Sequence, residues 1–262
     1  MGLPFALVTP ATRGLSLAIT RQLLRTTQMP VFATHRSSSP EQVHKHIFEP
    51  FSSGNDVDPK RLTLIKLDLT SEESIRDAAA TLKDKVPKDA FLHTGFFTGG
   101  VLYPEKQPAD IDFEKLKETF QINVLSHLLL IKHFSEFLPD TKSQRESLDG
   151  HLAKWVHISA RVGSISDNRK GGWYSYRASK AALNQVIKTF DIQLSLRKTP
   201  SICIGLHPGT VKTDLSKGFW NSTPNNLFEP DEAAKKLVEV VKNATEEQRG
   251  KVWDYVGKQV PW

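Results

Sequence analysis

The chain has a single cysteine, Cys203, among 262 residues. No disulfide can close within it, and a reducing compartment fits. Cys203 lies in an apolar run and reads as a small buried hydrophobe. No stretch approaches the roughly 18 consecutive apolar residues of a membrane span. The opening MGLPFALVTP has no basic segment and no cleavage site, and Ala6 breaks the myristoylation pattern that Gly2 begins. The ending QVPW is not a peroxisomal address. A cytoplasmic protein without a membrane anchor is expected. The net charge is +6, yet no block of basic residues stands out. It reads as a solvated surface with a few residues facing a phosphate, and no nucleic-acid partner is expected. Nine histidines include His44 and His46, but no cysteines or clustered acids complete a metal site. No linker or repeat divides the chain, so one domain is expected over residues 1–262.

What is present is alternation. Residues 3–9, 29–36, 61–69, 89–97, 154–159 and 201–208 are short apolar, β-prone runs, and 251–257 is a shorter last one. Helical patterns separate them. Leu15, Ala18 or Ile19, and Leu23 share one face; residues 40–51 form a second helix; residues 71–86 form a third, capped by Thr70 or Ser71. One long helix is expected over 113–138, with Phe120, Val124, Leu128 and Ile131 as its apolar stripe. The segment 141–150, TKSQRESLDG, is polar and reads as an exposed insertion. A helix from Tyr176 carries Leu183, Ile187, Phe190 and Leu194, and 231–245 forms the last helix. Strands alternating with helices mean an α/β, doubly wound, mostly parallel sheet of the Rossmann type, with ligands at the carboxyl ends of the strands.

The segment 154–180 organises the rest: a strand, a polar loop, then Tyr176-Arg177-Ala178-Ser179-Lys180 opening a helix. Tyr176 and Lys180 are one turn apart and share a face. A free phenol, with a pKa of about 10, is a poor proton donor at neutral pH. An ammonium beside it favours the phenolate, so the pair is a plausible acid/base unit for carbonyl–alcohol interconversion.

The landmarks fall in an order that resembles the short-chain dehydrogenase/reductase family over the whole chain. They are a glycine turn after the first strand, Asp68 after the third, Asn123 in the long helix, a serine after the fifth, Tyr176 and Lys180, and His207-Pro208-Gly209 after the sixth. The segment 159–184 and the ending DYVGKQVPW look most like the carbonyl-reductase and C-factor-like subgroup. The resemblance implies that Thr9, Thr12, Arg13, Gly14 and Leu15 of the turn contact a dinucleotide. It implies that Asp68 and Leu69 contact adenine and that Pro208, Gly209, Val211 and Thr213 flank the nicotinamide. It places His93-Thr94-Gly95 in the loop that meets the ribose, and it gives Asn123 a proton-relay water. The chain also departs from the pattern. Only Gly14 remains of the three turn glycines, and Pro10 removes a backbone N–H. Ala160 stands in the column of the serine that binds the substrate carbonyl, leaving Ser159 or Ser164 to replace it.

Charge selects the cofactor. No acid follows the second strand, where a ribose 2′-hydroxyl would need one; Thr34-His35-Arg36 stands there, and Arg13 sits in the glycine turn. Two guanidiniums can clamp a 2′-phosphate, so NADP(H) is expected. The expected activity is hydride transfer between nicotinamide and a ketone, aldehyde or secondary alcohol, with Asn123, Ser159, Tyr176 and Lys180 as the catalytic set. The alternatives are a non-catalytic NADP(H)-sensing or signalling protein and a non-redox cyclase or isomerase. The loop 212–230 is expected to set specificity, with Phe219 and Trp220 as a lid or a packing anchor. By resemblance, the chain pairs as a homodimer or homotetramer.

Overall fold

In the computed structural model, which describes residues 2–37, 39–51, 57–222 and 227–262, the apolar runs become strands. They are β1 (Leu3–Thr9), β2 (Val31–His35), β3 (Leu62–Lys66), β4 (Ala90–Phe97), β5 (Ala153–Ile158), β6 (Ser201–His207), β7 (Thr210–Val211), β8 (Leu227–Phe228), β9 (Val252–Asp254) and β10 (Gln259–Val260). The helices are α1 (Gly14–Thr26), α2 (Pro40–Phe48), α3 (Glu72–Lys85), α4 (Phe113–Phe120), α5 (Ser126–Phe134), α6 (Lys142–Ser147), α7 (Tyr174–Leu196) and α8 (Pro230–Lys242).

One eight-stranded sheet runs β10-β9-β6-β5-β4-β1-β2-β3. Every pairing in it is parallel except β10 on β9, an antiparallel edge beyond the strands expected from the sequence. Successive β1 residues feed opposite layers: Phe5 and Leu7 pack with α3, α5 and α7, while Ala6 and Val8 pack with α1 and α8. The strands are apolar throughout because both faces are covered. The winding reverses between β1 and β4, whose ends pair at Thr9 and Phe97, and this opens a crevice at the carboxyl edge.

One expectation is refined and one corrected. The long helix runs without a gap from Phe113 to Phe137, but α4 passes through a π turn at Gln121–Leu125 before α5 begins. The extra residue rotates α5 about its axis, so Leu128 is exposed while Asn123, His127, Leu130 and Phe134 face inward. The segment 141–150 is no loose insertion. Thr141 and Gln144 cap α6 reciprocally, Gln144 and Leu148 are buried, and the Gly2 N–H donates to Ser147 Oγ at 2.8 Å. The cap expected at Thr70 or Ser71 is Ser71, which accepts from the Ser74 N–H, and Ser39 caps α2 by accepting from the Gln42 N–H. Residues 223–226 of the 212–230 loop lie outside the described residues.

Candidate active site

Helix α7 places Tyr176, Lys180 and Asn184 on one buried face. Lys180 is 2% exposed; its Nζ donates to the Ile158 carbonyl at 2.8 Å and lies 5.7 Å from the Tyr176 ring centroid. Gly163 permits this approach, because a Cβ there would come within 2.8 Å of the Lys180 backbone. Burial governs both titrations. It pushes the Tyr176 phenol up and brings the Lys180 ammonium down to about 7. Burial thus opposes the charged form of each group, the phenolate of Tyr176 and the ammonium of Lys180.

Asn123, fully buried in the π turn, accepts from the Val101 N–H at 2.8 Å. It donates to the Val101 carbonyl and to Ser179 Oγ, both at 3.0 Å, and Ser179 Oγ donates to the Tyr176 carbonyl at 2.8 Å. One side chain thus ties the loop after β4 to the turn of α7 that carries Tyr176. Gly100 sits between these groups: a Cβ there would lie 3.7 Å from Lys180 Nζ and 3.8 Å from Asn123 Oδ1.

The loop assignment at His93 and Gly95 is corrected. Both lie within β4, which runs on to Phe97, and a Cβ at Gly95 would strike the Phe97 ring at 2.9 Å. Burial and the nearby Lys154 lower His93 to about 4, and its Nδ1 bonds to Thr94 Oγ1 at 2.8 Å. The loop at the carboxyl edge is instead Thr98-Gly99-Gly100-Val101. Thr98 Oγ1 donates to the Thr9 and Pro10 carbonyls and shares a 2.7 Å bond with Ser16 Oγ, while Thr34 Oγ1 donates to Thr9 Oγ1 at 2.7 Å. Thr98, Gly100 and Ser179 were given no role by the sequence. The Gly-Gly pair at the end of an unbroken apolar run was the available signal for the first two.

Across the crevice, the glycine turn meets the turn after β6. Gly14 has φ +53°, a region that favours glycine, and a Cβ there would approach Thr213 Cγ2 to 3.0 Å. Thr12 and Leu15 are half-buried beside it, and Arg13 is exposed as the N-cap of α1. Gly209, φ +75°, packs against the Phe228 ring beyond Pro208. Val211 is buried, and its carbonyl accepts from Ser216 Oγ. Asp68 is half-buried. Burial raises its pKa, but two hydrogen bonds from Thr70 and the charge of exposed Arg36 outweigh that and leave it lowered. Leu69 is buried against Gly99. Two polar atoms at this edge, His35 Nδ1 and His207 Nδ1, are buried with no partner among the described residues. The glycines at positions 14, 99, 100 and 209 and the exposed Arg13 and Arg36 are residue types that suit the phosphates of a dinucleotide.

Ser159 does not join the set. Its hydroxyl donates to Asn184 Oδ1 at 2.6 Å in the core. Ser164 Oγ accepts from the Asp167 N–H at 3.1 Å, which closes its own loop. Ala160 carries no hydroxyl. An aromatic wall stands over the phenol: Trp173 is 6.1 Å from Tyr176 and 4.6 Å from Phe219, centroid to centroid. Trp220 anchors this loop through its indole N–H to Ser216 Oγ at 2.9 Å. Trp155, by contrast, is wholly buried core.

Among the described residues, no group of three or more His, Cys, Asp or Glu is placed to hold a metal, and no helix is long and apolar enough to cross a membrane.

Comparison with known proteins gives one consistent result. The family model described as short chain dehydrogenase matches residues 4–223. The chain is 34% identical over 197 residues to the 1-hydroxy-2-glutathionyl-2-methyl-3-butene dehydrogenase of Rhodococcus sp. (strain AD45), covering 75% of this chain and 78% of that one. It is 31% identical over 153 residues to the C-signal of Myxococcus xanthus, covering 58% of this chain and 82% of that one. Among solved structures it is similar to the NADPH-bound carbonyl reductase from chicken fatty liver, with a TM-score of 0.81, 26% identity and full coverage of both chains.

Proposed function

The chain belongs to the short chain dehydrogenase family, and within it we propose that the protein is an NADPH-dependent reductase of bulky apolar or aromatic carbonyl compounds. The observation that carries this reading is the buried trio of Tyr176, Lys180 and Asn123, with Gly100 beside the last two, at the carboxyl edge of the sheet. Arg13 and Arg36 would hold the 2′-phosphate, Gly14, Thr12 and Leu15 the pyrophosphate, Asp68 and Leu69 the adenine. Val211 and Thr213 would orient the nicotinamide, which when bound supplies the hydride that forms the new C–H bond at the carbonyl carbon.

The protein's own residues supply the proton. Tyr176 retains its proton at neutral pH because burial opposes the phenolate, and that is the state reduction needs. Its O–H donates to the carbonyl oxygen and transfers the proton as the C=O π pair moves onto oxygen. Lys180, with its pKa near 7, is positioned to be cationic when the phenolate forms and stabilises it. Asn123 holds the loop and α7 in register through Val101 and Ser179. Trp173 and Phe219 offer ring faces to the substrate and exclude water. The exposed apolar residues Phe113, Leu125 and Leu128 on one side, and Ile192 and Leu196 of α7 on the other, support pairing with a second copy. A cytoplasmic location suits a dehydrogenase with one buried thiol.

A second reading, a protein that senses NADP(H) without turnover, is favoured by Ala160 and by the commitment of Ser159 to Asn184. Titration with NADPH and NADH by nicotinamide fluorescence, and then a panel of aromatic ketones and diketones, separates the two. Tighter NADPH binding with carbonyl-dependent loss of nicotinamide absorbance supports the reductase. Binding with no turnover across the panel selects the sensor, and no binding at millimolar concentration rejects both.

A further inference from the structure

Behind the loop that Asn123 grips, three buried side chains form a hydrogen-bonded file. The Trp155 indole N–H donates to His157 Nε2 at 2.9 Å, and His157 Nδ1 meets His127 Nδ1 at 2.8 Å. His127 Nε2 meets the Gly99 carbonyl at 3.0 Å. All three side chains are fully buried. The protons can be assigned along the file. An indole nitrogen only donates, so His157 Nε2 is bare and its neutral ring carries hydrogen on Nδ1. That hydrogen points at His127 Nδ1, which is therefore bare, and His127 carries its hydrogen on Nε2, aimed at the carbonyl of Gly99. Burial holds both rings neutral, bringing His127 down to about 3.

Leucine or phenylalanine would fill the same space in this apolar layer without polar groups to satisfy. What the polar file adds is one oriented donor at Gly99. Gly99 is also pressed on Leu69, since a Cβ there would strike Leu69 Cδ1 at 2.6 Å. The next residue, Gly100, borders Lys180 Nζ, and Val101 holds Asn123. We propose that His127, set in its tautomer by His157 and Trp155, is a positioning residue that fixes the Gly99–Gly100–Val101 backbone between the adenine side of the cleft and Tyr176. Its kinetic consequence rests on the reductase reading; its structural consequence does not.

Two substitutions separate the two ends of the imidazole. His127→Gln places an amide N–H near the site of Nε2 and keeps the donor to Gly99, while losing His157. His127→Asn places its amide near the site of Nδ1 and keeps His157, while losing Gly99. Each retains one bond of two, so a purely structural role predicts equal effects. The expected result is that the Asn variant loses about tenfold in kcat, weakens NADPH binding and exchanges the Val101 amide hydrogen about tenfold faster, while the Gln variant stays within about threefold of the parent. Equal exchange rates and equal kinetics at matched thermal stability would overturn the proposal, as would a better-performing Asn variant. Should neither variant fold, imidazole nitrogen shifts of the unaltered protein decide. His127 must be the Nε2–H tautomer and His157 the Nδ1–H tautomer, and the reverse for His127 refutes the assignment. If the unaltered protein fails to turn over NADPH, the reductase reading falls, while amide exchange and tautomer state still judge the positioning role.

Discussion

At the proposed reaction end of the cleft, Tyr176, Lys180 and Asn123 are buried, and Asn123 alone makes three hydrogen bonds. At the proposed adenosine end, Arg13 and Arg36 stand exposed at the mouths of α1 and β2. Moving a proton at neutral pH needs a desolvated, rigid frame that shifts pKa values. Recognising a phosphate needs only positive charge within reach, and a guanidinium keeps its charge in water. The first requirement fixes residue types and spacing, and the second leaves freedom. The freedom shows in the glycine turn, where Pro10 and Ser16 stand in place of two glycines of the family pattern and only Gly14, with φ +53°, is retained.

The sharpest way to break this contrast is Tyr176→Phe. It removes the proton donor and leaves the arginines untouched. Turnover should fall by about 10³ or more, while NADPH affinity by fluorescence titration stays within about twofold. Comparable losses in both would mean that the two ends are not separable.

Lys180 tests the cost of burial. Its pKa falls from 10.5 in the unfolded chain to about 7 in the folded protein. The unfolded chain therefore binds more protons between those values, so stability attributable to Lys180 rises with pH across that window. Below about 7 both states are protonated and the penalty is complete. Relative to Lys180→Met, the parent should gain several degrees in melting temperature between about pH 6 and pH 9. A flat difference would show that Lys180 keeps its ordinary pKa. The same variant should lose most of its turnover at every pH, because stability and activity are traded at this site.

The contrast also explains what the sequence disclosed. The doubly wound sheet was legible because apolar runs of strand length alternate with helical stripes from Leu3 to Val241. Tyr176 and Lys180 stood out by their helical spacing, and Asn123 by the resemblance to the short-chain dehydrogenase/reductase family. The strand over 89–97 was legible, but the family motif was laid on His93-Thr94-Gly95, which lie inside β4, and not on the Thr98-Gly99-Gly100 loop that follows it. The π turn was hidden because one extra residue leaves no mark on composition; the polar residues Asn123, Ser126 and His127 on the buried side were its trace. That the Ser159 hydroxyl is taken by Asn184, 25 positions away, could not be read from the chain order. The His127–His157 contact joins residues 30 positions apart and needs the packed sheet to be seen.

Arg36→Ala probes the exposed end and carries the smallest effect. A charge-assisted bond from a surface guanidinium to a phosphate contributes roughly 1–2 kcal/mol, so NADPH should bind about tenfold more weakly. NADH, which lacks the 2′-phosphate, should be unaffected, and kcat at saturating cofactor should stay near its parent value. The NADPH loss should shrink as ionic strength rises, because an exposed pair is screened over about 10 Å at 0.1 M salt. A salt-insensitive loss, or an equal loss for NADH, would instead place Arg36 in the packing of β2. In that case the neighbouring Asp68, whose pKa the Arg36 charge helps to lower, would be its true partner. Repeating the titration with Asp68→Asn decides between them: a phosphate-binding Arg36 keeps its preference for NADPH when the acid is gone, and a merely structural one does not.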